Sequence, residues 1–170
     1  MNLLDWSRIQ SGKLVLSPEK IKPSEVLDEC EILLQPLAEQ KNIDLTIYNN
    51  TDALLFADKE MLKTILRNLA TNAFKFSHAG GTVVIETEEQ PESVIFSVSD
   101  NGVGISAKQK ENIFSLASSI STEGTAQEKG TGLGLILCKE FIDMHGGKIW
   151  LESEINHGSV FKFTISKYKL

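Results

Sequence analysis

Three polar side chains share one face of a predicted helix. In the stretch "LRNLATNAFKFS", Asn68, Asn72 and Lys75 follow one another at spacings of four and three residues. Because an α-helix turns about 100° per residue, they form one narrow polar stripe beside an apolar face. Such a stripe is common on the solvent side of amphipathic helices. Asparagine is a poor helix former, however, so the two amides also indicate a binding role, for example towards a hard cation that takes oxygen ligands.

An acidic residue ends a predicted strand in the stretch "SVSDNGVGIS". Asp100 is followed there by Asn101, Gly102 and Gly104. Asn-Gly after a strand is a strong hairpin signal, and a hairpin turn is one interpretation. No returning strand follows, however, because "ISAKQKENIFSLAS" has the pattern of a short helix within a polar connection. In an open loop, the carboxylate can accept a hydrogen bond from an exocyclic amine while a flat ligand approaches bare backbone.

Two further stretches are rich in small residues. "GTGLGL", residues 130–135, has neither the spacing of a dinucleotide fingerprint nor the Lys-Ser/Thr of a Walker A loop. A hinge at a helix entrance is one interpretation, and backbone N–H groups that hold an anion at the positive helix end are the other. "NHGSVFKFTI" places Gly158 and Ser159 at the start of a strand, where small residues permit the close approach of a planar ligand.

Three helices are predicted to position these residues. Ser24 is the expected N-cap of the first, and Pro36 is expected to kink or shorten it. Asp58 is the expected N-cap of the second, which carries the polar stripe. The three helices are predicted over residues 25–42, 59–76 and about 131–144.

Six predicted strands accompany the helices. They are "IDLTIYN", "ALLFA", "TVVIETEE", "SVIFSVSD", "KIWLES" and "SVFKFTIS", and the third and fourth form a hairpin-like pair. "LVLSPEKIKP", before the first helix, is predicted to be a short extended linker. The order of elements predicts the α/β class: a two-layer α/β sandwich with helices on one face of a mixed, mostly antiparallel sheet. The polar connection between Asn101 and Gly130 is long for such a domain and is expected to be a lid.

Composition restricts the classes of function. The chain has 170 residues, of which 41% are hydrophobic, as is typical of one globular domain. No run reaches the roughly 20 apolar residues that cross a bilayer, and the start lacks the order of a signal peptide. The net charge of -6 argues against broad nucleic-acid binding. Cys30 and Cys138 are far apart and form no CxxC pair, so neither a disulfide scaffold nor a zinc site is indicated, and a cytoplasmic location fits.

In this order, the four stretches and the predicted lid resemble the boxes of a known family. The asparagine-rich helix, "DNGVG", a lid that contains Phe114, "GTGLGL" and "GSVF" resemble the N, first glycine, F, second glycine and third glycine boxes of the catalytic, ATP-binding domain of sensor histidine kinases. The resemblance covers about residues 25–167. It implies the Bergerat α/β sandwich that gyrase, Hsp90 and MutL ATPases share.

The start of the chain adds a second resemblance. "LLDWSRIQSGKL" is similar to the end of the second helix of the dimerisation and phosphotransfer domain that precedes the catalytic domain in such kinases. The implied organisation is the end of that helix over residues 1–14, a linker over 15–24 and the catalytic domain over 25–170. Within it, the ATP lid is expected at about 101–131.

The resemblance also implies a role for each site residue. Asn72 is expected to coordinate magnesium between the ATP phosphates, with Asn68 assisting, and Lys75 to neutralise phosphate charge. Asp100 is expected to receive the adenine amine, with Gly102 and Gly104 making room for the base. The implied ATP-binding residues are Asn68, Asn72, Lys75, Asp100, Gly102, Gly104, Ile105, Phe114, Lys129, Gly130, Thr131, Gly132, Leu133, Gly134 and Ser159.

The implied reaction is in-line transfer of the γ-phosphoryl group to a histidine nitrogen. His78, His145 and His157 are not in the family's phosphoacceptor context, so each is expected to be structural or exposed, and the acceptor to lie upstream of Met1. The implied partners are the dimerisation and phosphotransfer domain and the receiver domain of a response regulator, with no nucleic acid and no membrane contact by this chain. The isolated domain is expected to be monomeric, and the full-length protein a homodimer that is associated with a membrane.

Two other functions stay open at this stage. One is a nucleotide-binding regulatory module that has lost transfer activity. The other is an ATPase of the same fold, which would release phosphate steadily. The related ATPases are expected to carry a glutamate one helical turn before the magnesium asparagine, where this chain has Asn68. Because an amide cannot take a proton from water, the ATPase is the less favoured of the two.

Overall fold

A computed structural model of the chain describes residues 14–115, 124–127 and 132–169. Within these ranges the chain forms four helices: α1 (Pro23–Gln40), α2 (Lys59–Phe76), α3 (Ala107–Lys110) and α4 (Gly134–Met144). The same ranges contain seven strands: β1 (Glu19–Ile21), β2 (Asp44–Tyr48), β3 (Leu55–Ala57), β4 (Thr82–Glu89), β5 (Ser93–Asp100), β6 (Ile149–Glu154) and β7 (Gly158–Ser166).

Five strands form the main sheet in the order β2-β4-β5-β7-β6. β2 and β4 are parallel, and every other neighbouring pair is antiparallel. β4 and β5 form the predicted hairpin. The mixed, mostly antiparallel sheet is therefore confirmed.

Alternation along the strands gives the sheet one covered face. In β5, Val94, Phe96 and Val98 are at most 1% exposed, and Phe96 stacks on Phe163 of β7 with ring centroids 5.1 Å apart. α2 lies between α1 and α4 on this face. It buries its apolar side completely, as Leu62, Ile65, Leu66 and Leu69 show. The opposite face carries charged residues such as Glu86 and Glu88. The two-layer α/β sandwich is therefore confirmed.

The helix ends differ from the prediction for α1 and agree with it for α2. Asp58 caps α2 as predicted, since its carboxylate accepts a hydrogen bond from the Met61 backbone N–H at 3.1 Å. Ser24, by contrast, is not the N-cap of α1. Lys22 occupies that position and Pro23 begins the helix, where its fixed φ suits the first turn and its missing N–H costs nothing.

The far end of α1 also differs from the prediction. The helix continues through Pro36 to Gln40, so the proline does not shorten it. It ends two residues before the predicted boundary because Asn42 has a left-handed φ of 55°. A right-handed helix cannot contain such a residue.

The predicted linker contains a strand that the sequence did not reveal. β1 pairs antiparallel with β3, with Lys20 opposite Phe56. The linker is extended as predicted, but its partner strand lies more than thirty residues away along the chain. A local pattern carries no information on such a pairing.

α4 begins later than predicted. Its first residue is Gly134, because Gly132 has a φ of 71°, which does not fit a helix. Thr131, the predicted start, lies outside the described residues, as does most of the predicted helix end at residues 1–14. None of the helices in the described ranges has the length and apolar character needed to cross a bilayer.

Candidate functional site

A row of three polar side chains closes one end of the covered face. Asp100 of β5 lies opposite Ser159 of β7, which in turn lies opposite Ser153 of β6. The next row on the same face of these strands is apolar and consists of Val98, Phe161 and Leu151. Because side chains alternate between the two faces of a sheet, Asp100, Ser159 and Ser153 all point to the helix side. We call these three residues the polar row.

The Asp100 carboxylate is an acceptor held in a partly buried place. Its Oδ1 accepts a hydrogen bond from the Gly102 backbone N–H at 2.9 Å. Burial raises the pKa of Asp100 above its ordinary value, although hydrogen bonds from the backbone of Gly102 and Ser159 act in the opposite direction. A carboxyl group with these properties, at the end of an otherwise apolar face, is suited to recognising a hydrogen-bond donor on a ligand.

Three glycines let the backbone close around Asp100. A Cβ on Gly102 would lie 2.2 Å from the Phe76 carbonyl oxygen, and one on Gly104 would lie 1.9 Å from that of Glu154. A Cβ on Gly158 would lie 1.9 Å from the carbonyl oxygen of Asp100 itself. In this structure the close approach is thus between parts of the protein's own backbone. That Gly102 and Gly104 also make room for a base stays a prediction.

Ser153 is a site residue that the sequence analysis missed. Its Oγ accepts a hydrogen bond from the Ile105 backbone N–H at 2.8 Å and lies 2.9 Å from Ser159 Oγ. Ile105, one of the predicted site residues, is thereby fixed to the polar row. The signal was present in the alternation of "IWLESE", which places Ser153 on the covered face together with Ile149 and Leu151.

The start of the predicted lid is attached to the same end of the sheet. Lys110 of α3 donates through Nζ to the Ser153 carbonyl at 2.8 Å. The ring of Phe114, another predicted site residue, lies edge-on to Phe161 with centroids 6.2 Å apart. Phe161 neighbours Ser159 on the covered face. Phe114 therefore lies close to the polar row, and its contact with a nucleotide stays a prediction.

The asparagine stripe lies on α2 beside the start of α4. Asn68 Oδ1 would lie 3.6 Å from a Cβ on Gly134, so the first amide of the stripe faces the glycine that opens α4. Asn68 Nδ2 is buried and has no nitrogen or oxygen hydrogen-bond partner among the described residues. The Asn68 side chain lies against the buried Cys138 thiol, and its hydrogen bond there acts to lower the pKa of that thiol, against the larger effect of burial. Asn72 and Lys75 are partly exposed on the same helix.

The end of α2 is held by a lysine that sequence patterns did not reveal. Lys41 donates through Nζ to the carbonyl oxygens of Phe74 and Lys75, at 2.8 Å and 2.9 Å. The Lys75 side chain has its ammonium 4.9 Å from the centre of the Phe76 ring. Lys41 thus fixes the backbone of the turn that carries Lys75.

Part of the predicted phosphate-binding loop is described. Gly132, Leu133 and Gly134 lead into α4, with Leu133 at the N-cap position and no side-chain cap. A leucine side chain has no hydrogen-bond acceptor, so it does not cap the backbone N–H groups at the start of α4. Lys129, Gly130 and Thr131 lie outside the described residues.

Cysteine and histidine chemistry is not indicated in the part of the chain that the structure describes. Burial raises the pKa of Cys30 to about 11 and that of Cys138 to about 12, so both stay thiols at neutral pH. His145 Nε2 accepts from the Asp58 backbone N–H at 3.0 Å, and its Nδ1 lies 2.6 Å from the Phe141 carbonyl oxygen. His145 is therefore structural, and His78 and His157 are exposed, as expected.

Comparisons with known proteins show the family and the fold. The family model described as "Histidine kinase-, DNA gyrase B-, and HSP90-like ATPase" matches residues 57–169. The chain is 35% identical over 173 residues to the circadian input-output histidine kinase CikA of Synechococcus elongatus. The match covers 99% of this chain but 23% of that protein, so the chain corresponds to a part of its relative.

Solved structures of histidine kinases have the same fold. The catalytic domain of the histidine kinase ThkA, in a nucleotide-free form, matches with a TM-score of 0.77 and 35% identity over 89% of this chain and 96% of that one. Full-length ShkA in complex with AMPPNP matches with a TM-score of 0.83 and 26% identity, over 99% of this chain and 35% of that one. ThkA in complex with the response regulator protein TrrA matches with a TM-score of 0.77 and 28% identity, over 98% and 47%.

Proposed function

The chain belongs to the family of histidine kinase-, DNA gyrase B- and HSP90-like ATPases, and we propose that it binds ATP with magnesium and donates the γ-phosphoryl group to a histidine of a separate helical domain. The polar row is the observation that carries this proposal. It places a partly buried carboxylate at the end of the covered face, where the resemblance puts the adenine amine. An acceptor-rich end of an apolar surface suits a flat base that carries an amino group.

The phosphates would lie away from the polar row, between α2 and the start of α4; we call the proposed space between that start, α2 and the polar row the cleft. Support comes from the Asn68 amide oxygen, which faces the glycine that opens α4. A helix N-terminus without a side-chain cap suits an anion. This arrangement would let an acidic protein hold a triphosphate without a basic surface.

A magnesium ion fits the chemistry of these side chains. In the described ranges, no group of three or more His, Cys, Asp or Glu residues could hold a metal by itself. An ion in the cleft would therefore depend on amide oxygen and phosphate oxygen, which are the hard ligands that magnesium prefers. We propose Asn72 as the protein ligand and Asn68 as its neighbour. Bound there, magnesium would neutralise charge on the β- and γ-phosphates.

The proposed reaction needs positioning more than covalent help from the protein. A histidine nitrogen supplies the electron pair of the new N–P bond, while the bond between the γ-phosphorus and the bridging oxygen breaks and its electron pair stays with ADP. Asn68 cannot take a proton, so attack by water is not assisted. The bound nucleotide would then be retained until an imidazole arrives from another domain.

The relatives support a proposal for the other domain and the partners. ThkA has been solved in complex with a response regulator protein, and this chain spans only part of that protein. We propose that the whole protein carries a dimerisation and phosphotransfer domain before this chain, forms a homodimer in the cytoplasm and passes its phosphoryl group to a response regulator. Because β1 pairs with β3, the catalytic unit would begin at about residue 19 and not at residue 25.

Isothermal titration calorimetry tests the nucleotide site. The chain should bind a non-hydrolysable ATP analogue with magnesium, and Asp100→Ala and Asn72→Ala should each weaken binding by at least about tenfold. Asp52→Ala and Asn50→Ala are matched controls, because both residues are exposed in the turn before β3. Unchanged affinity in both site variants would refute the proposed site.

A transfer assay tests the activity itself. The chain is mixed with ATP, magnesium and a helical domain that bears a phosphoacceptor histidine, and acid-labile phosphate on that domain is measured. Transfer that is lost in Asp100→Ala supports the kinase. Tight nucleotide binding without transfer would favour the regulatory module, and steady phosphate release by the chain alone would favour the ATPase.

A further inference from the structure

Ser153 Oγ makes hydrogen bonds that determine where its proton lies. The Ile105 backbone N–H, at 2.8 Å, can only donate to it, and the Gly158 carbonyl oxygen, at 2.7 Å, can only accept from it. A serine hydroxyl has one proton and two lone pairs. The proton of Ser153 is therefore directed to Gly158, one lone pair receives Ile105, and one lone pair remains.

The remaining lone pair determines the direction of the neighbouring hydroxyl. Ser159 Oγ lies 2.9 Å from Ser153 Oγ, and either oxygen could donate on distance alone. Because the Ser153 proton is already engaged, Ser159 must be the donor of this bond. Ser159 is 5% exposed and is left with lone pairs only.

Asp100 and Ser159, which lie where the base is proposed to bind, are then both hydrogen-bond acceptors. Asp100 and Ser159 are paired across β5 and β7, and an ionised carboxylate only accepts hydrogen bonds. We propose that Ser153 is a positioning residue for base selectivity, and this inference rests on the proposed nucleotide site. By holding the Ser159 hydroxyl, Ser153 makes this end of the cleft accept a purine with an amino group at C6. A keto oxygen at C6 would meet acceptors alone and be disfavoured.

The test compares two nucleotides that differ at this position. Dissociation constants are measured for ATP and for inosine 5′-triphosphate, which carries a keto oxygen in place of the amino group. The wild-type chain should prefer ATP. In Ser153→Ala the Ser159 proton is released and can turn to the keto oxygen, so the preference should fall about three- to tenfold, the range of one net hydrogen bond.

Two variants separate this role from a merely structural one. Ser153→Thr keeps a hydroxyl and should keep the preference for ATP. A structural defect would instead weaken the binding of both nucleotides by the same factor. If Ser153 acts only through Ser159, the double variant S153A/S159A should have the same preference as S159A alone. Ser99→Ala is the matched control, because Ser99 precedes Asp100 in the chain and points to the opposite face of the sheet.

The outcomes distinguish this inference from the proposed function. If the wild type binds neither nucleotide, the proposed function fails. If it binds both equally, or if S153A keeps the wild-type preference, the role of Ser153 is overturned while nucleotide binding stands. Should S153A yield no folded protein, S159A carries the test, and an unchanged preference in that variant would overturn the inference.

Discussion

The ammonium group of Lys41 lies 2.8 Å from the hydroxyl oxygen of Thr125, and it thereby ties the end of α1 to the polar connection that precedes α4. The Thr125 backbone N–H donates to the Lys75 carbonyl oxygen at 3.0 Å. The Thr125 hydroxyl donates to the Ser77 carbonyl oxygen at 2.6 Å. One segment of the predicted lid is thus held against the last turn of α2, which carries Lys75.

Replacing Lys41 should loosen this attachment. In Lys41→Met the carbonyl groups at the end of α2 lose a charged donor, so we expect the free energy of unfolding to fall by about 1.5–3 kcal/mol. Amide hydrogen exchange of Thr125 should become faster. Urea denaturation and exchange measured by mass spectrometry check the two effects. Lys108→Met, at an exposed position of α3, is the control, and unchanged exchange at Thr125 in Lys41→Met would contradict the expectation.

Gly158 should tolerate a methyl group far less well than Gly80. Both glycines have a positive φ, 88° and 83°, so alanine at either position carries the same backbone strain, about 1–2 kcal/mol. A Cβ on Gly158 would also lie 1.9 Å from the Asp100 carbonyl oxygen, whereas one on Gly80 meets nothing within 4 Å. Urea denaturation should show that Gly158→Ala loses at least about 1–3 kcal/mol more than Gly80→Ala. Equal losses of unfolding free energy in the two variants would contradict this expectation, because they would mean that the backbone around residue 158 moves aside without cost.

Much of the sheet could be predicted because its signals are local. β4 and β5 have the predicted bounds, since apolar residues alternate along both and "QPE" separates them. Asp58 was identified as a cap from its place before an apolar helical pattern. The two-layer fold was predicted from the order of these elements. Periodicity and capping are properties of neighbouring residues, and they survive without tertiary information.

The features that were missed depend on contacts between distant parts of the chain. β1 exists because of β3, and Lys41 and Ser153 are defined by bonds to α2, Ile105 and Ser159. No local pattern distinguishes Lys41 from other lysines, and the alternation of "IWLESE" gives the face on which Ser153 lies but not its hydrogen-bond partners. The glycines at 102, 104 and 158 were selected from their positions in the motifs, and their role towards a ligand stays a prediction. Their steric requirement became visible only with the backbone that opposes them.

Asp100→Asn should stabilise the fold while impairing binding. The pKa of Asp100 is raised in the folded protein above its ordinary value of 3.8. The carboxyl group therefore contributes stability at pH values below 3.8, and this contribution is lost as the pH rises through the folded-state pKa. Asparagine removes the penalty, so its advantage in free energy of unfolding should be largest at pH 7 and disappear below about pH 4. Urea denaturation across this pH range measures it. A variant that is less stable than the wild type at pH 7 would contradict the expectation.

Glu29 should contribute stability in the opposite pH direction. It bridges α1 to α2 through Lys59 and Lys63, at 2.7 Å and 2.8 Å, and these hydrogen-bonded ammonium groups lower its pKa from 4.5 to about 2. Its contribution is present above pH 4.5 and is lost as the pH falls towards 2. The difference in unfolding midpoint between the wild type and Glu29→Gln should therefore vanish in acid.

High salt should reduce the same difference at neutral pH, because these groups are partly exposed and are screened. Glu31→Gln is the control, since Glu31 is exposed on the same helix. A Glu29→Gln effect that is independent of both pH and salt would show that the bridge does not contribute to stability.

A crystal structure of the chain with AMPPNP and magnesium tests the central claim most directly. The account predicts that the purine amino group lies within hydrogen-bond distance of the Asp100 carboxylate, with the phosphates between Asn72 on α2 and the start of α4. Nucleotide that is bound elsewhere, or no nucleotide beside Asp100 and Asn72 at saturating analogue, would contradict it.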